Sequence, residues 1–201
     1  MFNILQADKS YTFSDYFNLN YSTKEIVAEF GYSFKLEKIS LPKKQISNLD
    51  ISKLRQAFYK KLPHISLNSE MAKREFFISP ILLEMLDYID FNIEVEYAIN
   101  FNDKLRGSVD YFLTAKKNLL VIEAKNADLD KGFSQLAVEL IAMDNIAPAS
   151  DFLYGAVTLG DVWRFCCVDR VNKVISKDID IFAVPSHLEA LFLVFAGILA
   201  E

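Results

Sequence analysis

One short segment, residues 107–125 (GSVDYFLTAKKNLLVIEAK), constrains the fold more than any other part of the chain. Its apolar residues form two runs on either side of a turn at residues 116–118, which predicts an antiparallel pair of strands. Because side chains alternate between the faces of a strand, Glu123 and Lys125 are expected on one face, and the pairing brings Asp110 close to them. Charges at the end of an apolar strand are costly unless something local uses them. The convergence therefore predicts a site for a hard divalent cation and a water.

The pattern of the remaining chain from residue 46 onward predicts an α/β (α+β) domain. Alternating or apolar runs indicate strands, and apolar residues at helical spacing indicate helices. A strand before the pair completes a three-stranded meander, a helix follows it, and a further pair of strands, a short strand and a final helix come after that. In chain order these elements are expected at residues 92–99, 131–143, 152–158, 162–168, 173–175 and 187–199. We expect a central mixed sheet of about four to five strands flanked by helices.

Residues 1–45 are rich in aromatic residues and are predicted to form a β-rich N-terminal extension packed on the main fold. The alternation over residues 25–30 and again over 32–39 indicates one or two strands, with Gly31 at a bend. A recognition or dimerisation arm is the alternative interpretation of this segment. The two interpretations remain open at this point.

Two helices are predicted between this extension and the meander. Apolar residues at helical spacing indicate one helix over residues 51–62 and a second over 71–89, which Pro80 is expected to kink or break. Ser69 has the character of an N-cap for the second helix. Glu70 then lies in its first turn, where a negative charge is favourable to the helix dipole, so its presence has a purely structural explanation as well as a functional one.

The composition and charge of the chain limit the classes of protein, and the compartments, that fit this sequence. The net charge of −5 disfavours a generally basic, DNA-coating protein, although residues 33–75 hold ten Lys and Arg against four Asp and Glu. That basic run is either a solvated face or a phosphate-tracking surface. The two cysteines are adjacent and suggest no disulfide framework, and no signal peptide or membrane-spanning run is expected, so the protein is predicted to be soluble and cytoplasmic. No P-loop, dinucleotide-binding or serine-hydrolase motif is present, and the two histidines lack zinc-ligand spacing.

Four segments in order resemble the PD-(D/E)XK nuclease superfamily. Asp110 followed by Glu123-x-Lys125 on an apolar strand is similar to the signature of that superfamily. Residues 69–82 resemble the first helix of the nuclease domain in type I restriction motor subunits, and residues 154–165 resemble the strand-turn-strand that follows the site helix. Gln135 lies where many members carry the glutamine of a Q-x-x-x-Y motif. The resemblance covers residues 69–168 and implies a restriction endonuclease-like core within a domain spanning residues 46–201.

The resemblance implies a metal site and its ligands. Mg²⁺ would be held by carboxylates and one backbone carbonyl, and Mn²⁺ would be able to replace it. The implied ligands are Asp110, Glu123, Glu70 and the carbonyl of Ala124. The set of residues implied for catalysis is Asp110, Glu123, Lys125, Glu70 and Gln135.

Two of these residues have implied roles other than metal binding. Lys125 would position the attacking water, help to deprotonate it or stabilise charge on the phosphate, and Gln135 would help to place substrate or water. The sequence has Glu139 where the motif often has tyrosine, which leaves the role of that second position open. Basic residues around the site are expected to contact the nucleic acid: Lys116, Lys117, Lys131, Lys73 and Arg74.

The implied function is a metal-dependent endonuclease, a hydrolase of phosphodiester bonds in DNA. The motor domains of restriction subunits are missing from this sequence, so cleavage would be by a stand-alone domain or with partner proteins, and a homodimer is left open. No membrane partner and no nucleotide cofactor are expected. The alternative is a catalytically inactive module of the same fold that binds nucleic acid or a protein partner. A third possibility is an α/β protein whose charged residues match the motif by coincidence.

Overall fold

A computed structural model of the protein describes residues 4–115, 118–147 and 150–199. The helices are α1 (Phe13–Asn18), α2 (Thr23–Ala28), α3 (Ser52–Lys61), α4 (Glu70–Lys73), α5 (Ser79–Leu86), α6 (Leu129–Ile146) and α7 (Leu188–Leu199). The strands are β1 (Ser33–Glu37), β2 (Asn92–Asn102), β3 (Leu105–Thr114), β4 (Leu119–Ala124), β5 (Phe152–Thr158), β6 (Val162–Asp169), β7 (Val174–Asp178) and β8 (Phe182–Ala183). A 3₁₀ turn at Leu62–His64 follows α3, and a π-helical turn at Arg74–Ile78 joins α4 to α5.

All eight strands belong to one mixed sheet, in the order β1-β7-β6-β5-β4-β3-β2, with β8 paired to β6. β4 runs parallel to β5 and β1 runs parallel to β7, whereas the other neighbours are antiparallel. The predicted α/β class, the β2–β3–β4 meander and the β5–β6 hairpin are confirmed. The sheet has more strands than the four to five expected, because β1, β7 and β8 extend it on the β6 side.

Helices cover both faces of the sheet and create two hydrophobic cores. Alternate residues of β4 separate the two: Leu120 and Ile122 face the core that contains α5 and α7, whereas Leu119 and Val121 face the core that contains α6. By the same alternation Glu123 lies on the α6 side of the strand. This register decides which helix meets the charged end of β4.

The N-terminal segment departs from the prediction. Its described part holds two helices and one strand, so it is not β-rich, and the strand expected over residues 25–30 is wrong. The physical reason is a capping box, in which the Ser22 N–H donates to Glu25 Oε2 (2.9 Å) and Ser22 Oγ accepts from the Glu25 N–H (3.3 Å). This reciprocal cap fixes the first turn of α2 and overrides a short alternating pattern. The second predicted strand is confirmed as β1.

The helical region around Pro80 is interrupted by the π-helical turn at Arg74–Ile78, which continues directly into α5. Pro80 is near the start of α5 and has no N–H to donate to the preceding turn. Its ring also crowds the carbonyl four residues earlier, that of Phe76, which lies within the π-helical turn. Within the described ranges, no helix combines the length and the hydropathy that crossing a membrane requires.

Candidate active site

Asp110 and Glu123 lie at the same position of two neighbouring strands. The β3–β4 register pairs Tyr111 with Ile122, so the next position outward places Asp110 opposite Glu123. Asp110 Oδ2 also accepts a hydrogen bond from the Ala124 N–H (2.7 Å), which holds the carboxylate against the end of β4. The structure thus brings together the strand residues that the sequence singled out.

Glu123 is almost fully buried, with 1% of its surface exposed. Its Oε1 accepts from Lys125 Nζ and from Gln135 Nε2, the latter at 2.5 Å. Its Oε2 is buried and has no hydrogen-bond partner. Gln135 reaches Glu123 because α6 crosses the sheet with this residue turned toward β4, as predicted. Glu123, Lys125 and Gln135 therefore form one contiguous polar group beneath the surface.

Glu139 extends this group and was not among the predicted site residues. It lies one helical turn beyond Gln135, is fully buried, and its Oε1 accepts from Gln135 Nε2 (2.9 Å). Its Oε2, like that of Glu123, is buried without a partner. The four-residue spacing from Gln135 was the one signal in the sequence that could have identified it. Gln135 uses its amide nitrogen to bridge two buried carboxyl groups.

The pKa values of these acids are shifted upward. Burial is the largest cause for Glu123, and the neighbouring Glu139 and Asp110 add to it, so its pKa lies well above the usual range despite the opposing effect of Lys125. Burial and the charge of Asp110 raise the pKa of Glu139 to about 7, against a smaller opposing effect of the hydrogen bond from Gln135. Burial alone would lower the pKa of Lys125, but the contact with Glu123 raises it. Glu123 and Glu139 therefore keep their protons to a higher pH than exposed carboxyl groups do.

Glu70 faces the same site from α4. Ser69 Oγ caps this helix by accepting from the Ala72 N–H (3.1 Å), as predicted, and the cap places Glu70 in the first turn. Glu70 is half-buried, and burial raises its pKa, while Lys125 lowers it and Asp110 raises it. The carboxylate is thus close enough to Asp110 and Lys125 for their charges to act on it.

Arg74 occupies one side of Asp110. Its guanidinium lies 3.4 Å from Asp110 Oδ1 and 3.2 Å from Glu96 Oε1, and it stacks 5.2 Å from the centre of the Tyr111 ring. Only 18% of the side chain is exposed. Arg74 was predicted to contact nucleic acid, but its charge is directed into the protein because the π-helical turn points it at β3.

Glu96 is a second residue that the sequence did not indicate. The β2–β3 register pairs Val95 with Tyr111 and Tyr97 with Val109, so Glu96 lies opposite Asp110. Its backbone is left-handed, with φ of 54°, which is unusual for a residue with a side chain. An alternating β-strand pattern gives no sign of such a conformation.

The remaining predicted nucleic-acid contacts differ in their placement. Lys73 Nζ donates to the Asn126 carbonyl (2.5 Å), which ties α4 to the loop after β4 and reduces its availability to a phosphate. Lys131 is exposed at the rim of the site. Lys116 and Lys117 lie outside the described residues.

A cleft of about 480 Å³ opens above these groups. Lys125 and Gln135 lie on its floor, Glu70 and the loop from Asn126 to Asp128 on one side, and α1 on the other. The α1 residues are Ser14, Phe17 and Asn18, and the Lys125 Nζ lies 5.6 Å from the centre of the Phe17 ring. The N-terminal segment therefore contributes a wall to the site, which its sequence did not reveal.

The donor chemistry fits a hard divalent cation. Carboxylate oxygens are the ligands that Mg²⁺ prefers, and Oε2 of Glu123 is buried with no hydrogen-bond partner. Among the described residues, however, no three His, Cys, Asp or Glu side chains form a ready-made metal-ligand group. Asp110 accepts one contact on each oxygen, from Arg74 and from the Ala124 N–H, and each oxygen keeps a further lone pair for a cation. The predicted ligand set stays a prediction.

Comparison with known proteins returned no relative: no family model, no curated protein and no solved structure matches the chain.

Proposed function

We propose that the protein is a metal-dependent nuclease of the PD-(D/E)XK class that hydrolyses phosphodiester bonds in DNA. The observation that carries the proposal is the meeting of Asp110, in the middle of β3, with Glu123 and Lys125 at the end of the adjacent β4, where one buried carboxylate oxygen has no partner. Within the larger sheet, β2 to β6 together with α5 and α6 would be the restriction endonuclease-like core. The parallel β4–β5 pair connected through α6 supports that assignment.

The carboxylates of Asp110, Glu123 and Glu70, with the carbonyl of Ala124, would hold Mg²⁺ or Mn²⁺. A divalent cation there supplies charge neutralisation on the phosphoryl oxygens and a lowered pKa for water. Lys125, with 12% of its side chain exposed, contacts Glu123 Oε1 through its ammonium, and from there it would position the attacking water. The amide of Gln135 donates to Glu123 and Glu139, and this leaves its oxygen as an acceptor on the cleft side.

One observation favours the alternative of a catalytically inactive binding module. Arg74 contacts Asp110, and such a contact would persist in a protein that never binds a cation. In that case the cleft would bind nucleic acid or a protein without cleaving it. The two functions differ in their dependence on Mg²⁺.

The decisive experiment is a cleavage assay in Mg²⁺ and in Mn²⁺ on plasmid, linear duplex and single-stranded DNA. We expect cleavage by the wild-type protein that falls at least about 100-fold in Lys125→Ala and in Asp110→Asn. Lys38→Ala is the matched control, because Lys38 is an exposed lysine that follows β1, four strands away from β4. Equal cleavage by all four proteins would contradict the proposed site, and DNA binding without any cleavage or metal dependence would favour the binding module.

A further inference from the structure

Helix α1, which forms one wall of the cleft, is held by buried contacts. Tyr16 is fully buried and its hydroxyl donates to the Lys104 carbonyl (2.7 Å), which ties α1 to the turn between β2 and β3. Asp15 Oδ2 accepts from the Thr12 N–H (2.7 Å) and closes the first turn of the helix. Phe13 is buried against Gly107, where a Cβ would come within 2.9 Å of the Phe13 ring. This anchoring presents Phe17 to the cleft on a rigid support.

The opposite wall is also tied down. Asn126 Nδ2 donates to the Asn68 carbonyl (3.1 Å), and the contact from Lys73 to the Asn126 carbonyl lies beside it. Of the groups proposed to act on a phosphodiester, Glu70, Lys125 and Gln135 line the cleft between the two walls. Glu123 lies beneath Lys125, with 12% of the Lys125 side chain and 1% of Glu123 exposed.

We propose that the cleft takes one unpaired nucleotide next to the scissile phosphate, with its base stacked on Phe17, so that the substrate is single-stranded DNA or a frayed end. This inference rests on the proposed nuclease function. The cleft volume of about 480 Å³ is of the order that suits a ligand the size of one nucleotide. In an intact duplex the bases stay in the stack, and none is free to lie on an aromatic ring.

Two lining residues suit the same ligand. Aromatic rings stack on any base, and cationic side chains contact the backbone of a single strand. Phe17 supplies a ring, with Lys125 Nζ 5.6 Å from its centre. The exposed Lys131 supplies positive charge beside the lining carboxylates Glu70 and Asp128. The cleft thus offers one stacking surface and, at Lys131, one contact for a flanking phosphate.

The test is a binding measurement that does not depend on cleavage. Fluorescence anisotropy would compare a fluorescein-labelled single-stranded phosphorothioate dodecamer, which hydrolyses slowly, with the matching blunt GC-rich duplex, in Mg²⁺ and in EDTA. We expect the wild-type protein to bind the single strand at least about ten-fold more tightly than the duplex. Phe17→Ala and Phe17→Leu should lose about ten-fold in affinity for the single strand, whereas Phe17→Tyr should retain it.

Phe152→Ala is the matched control, because Phe152 is an exposed phenylalanine at the start of β5, the end of the strand remote from the cleft. Phe17→Leu fills similar space without a ring, so it tests stacking even when Phe17→Ala does not fold. Tighter binding of the duplex, or unchanged affinity in Phe17→Leu, would overturn the inference while leaving a nuclease in place. Phe17-dependent binding of the single strand without cleavage of unmodified DNA would support the nucleotide cleft and remove the nuclease.

Discussion

α6 carries two buried acids, and their surroundings differ sharply. Asp144 accepts from Arg170 Nε at 2.6 Å on one oxygen, and from Lys173 Nζ at 2.5 Å and the Tyr32 hydroxyl on the other. Glu139, five residues earlier, has one amide donor on one oxygen and no partner on the other. One helix therefore holds a compensated and an uncompensated carboxylate.

The pKa values record the difference. Burial would raise the pKa of Asp144, but the hydrogen bonds from Lys173, Tyr32 and Arg170 together hold it below its usual range. Burial raises the pKa of Glu139 to about 7, because the contacts with Gln135 and Glu123 and the charge of Lys125 do not offset it. Asp144 with its partners has a structural explanation, because it ties the N-terminal segment and the β6–β7 turn to α6. Glu139 has no cationic partner of this kind, and such a buried acid is accommodated either by keeping its proton or by a bound cation.

The largest expected effect is the loss of stability on removing Asp144, the buried acid that has cationic partners. Asp144→Ala removes the carboxylate shared by Tyr32 and Lys173, and we expect the free energy of unfolding to fall by about 3–5 kcal/mol. Urea denaturation followed by circular dichroism measures the change. Asp180→Ala is the control, because this aspartate is 55% exposed, pairs with Lys38 at 3.3 Å, and should cost less than about 1 kcal/mol. A similar small loss in Asp144→Ala would show that the network does not stabilise the fold.

The contribution of Glu139 to stability should change with pH in the direction opposite to that of Asp144. The pKa of Glu139 is about 7 in the folded protein against an ordinary value of 4.5, so its contribution to stability is complete below pH 4.5 and is lost as the pH rises to about 7. In EDTA, Glu139→Gln should therefore be more stable than the wild type at pH 8, by up to about 3 kcal/mol, and similar to it at low pH. Denaturation curves at several pH values measure this difference.

Asp144 provides the internal check on that measurement. Its pKa is lowered, so its contribution is present at neutral pH and is lost only in acid. Both proteins contain Asp144, so its acid dependence cancels when the free energies of unfolding of the wild type and Glu139→Gln are subtracted. A difference that does not change between low and high pH would mean that Glu139 is not an uncompensated charge.

The sequence was sufficient for those parts of the molecule that depend on local pattern. Alternation and apolar runs predicted β2 to β6, and helical spacing predicted α6, so Asp110 and Glu123 were placed together correctly, whereas the resemblance pointed to Gln135. These side chains meet because strand register and helix periodicity determine which face each occupies. The nuclease role of the site stays a prediction.

The residues that sequence analysis missed depend on tertiary contacts. Glu139 is recognisable as buried only once the face of α6 that meets β4 is known, since a glutamate on a helix is ordinarily exposed. Glu96 takes a left-handed backbone opposite Asp110 in the middle of β2. Phe17 reaches the cleft through α1, a helix of six residues whose apolar pattern is too short to locate it.

The smallest expected effect is the increase in stability in Mg²⁺, which tests whether the buried carboxyl groups without cationic partners bind a cation. At pH 8, about 10 mM Mg²⁺ should raise the free energy of unfolding by about 1.4 kcal/mol for a dissociation constant near 1 mM, which is a few degrees in Tm. Asp110→Asn and Glu123→Gln should lose this increase, because each removes a carboxylate charge from the proposed site. Asp180→Ala should retain it, since that residue lies outside the cleft. A Tm increase of the same size in all four proteins would place cation binding elsewhere, and the partnerless oxygens of Glu123 and Glu139 would then need a different explanation.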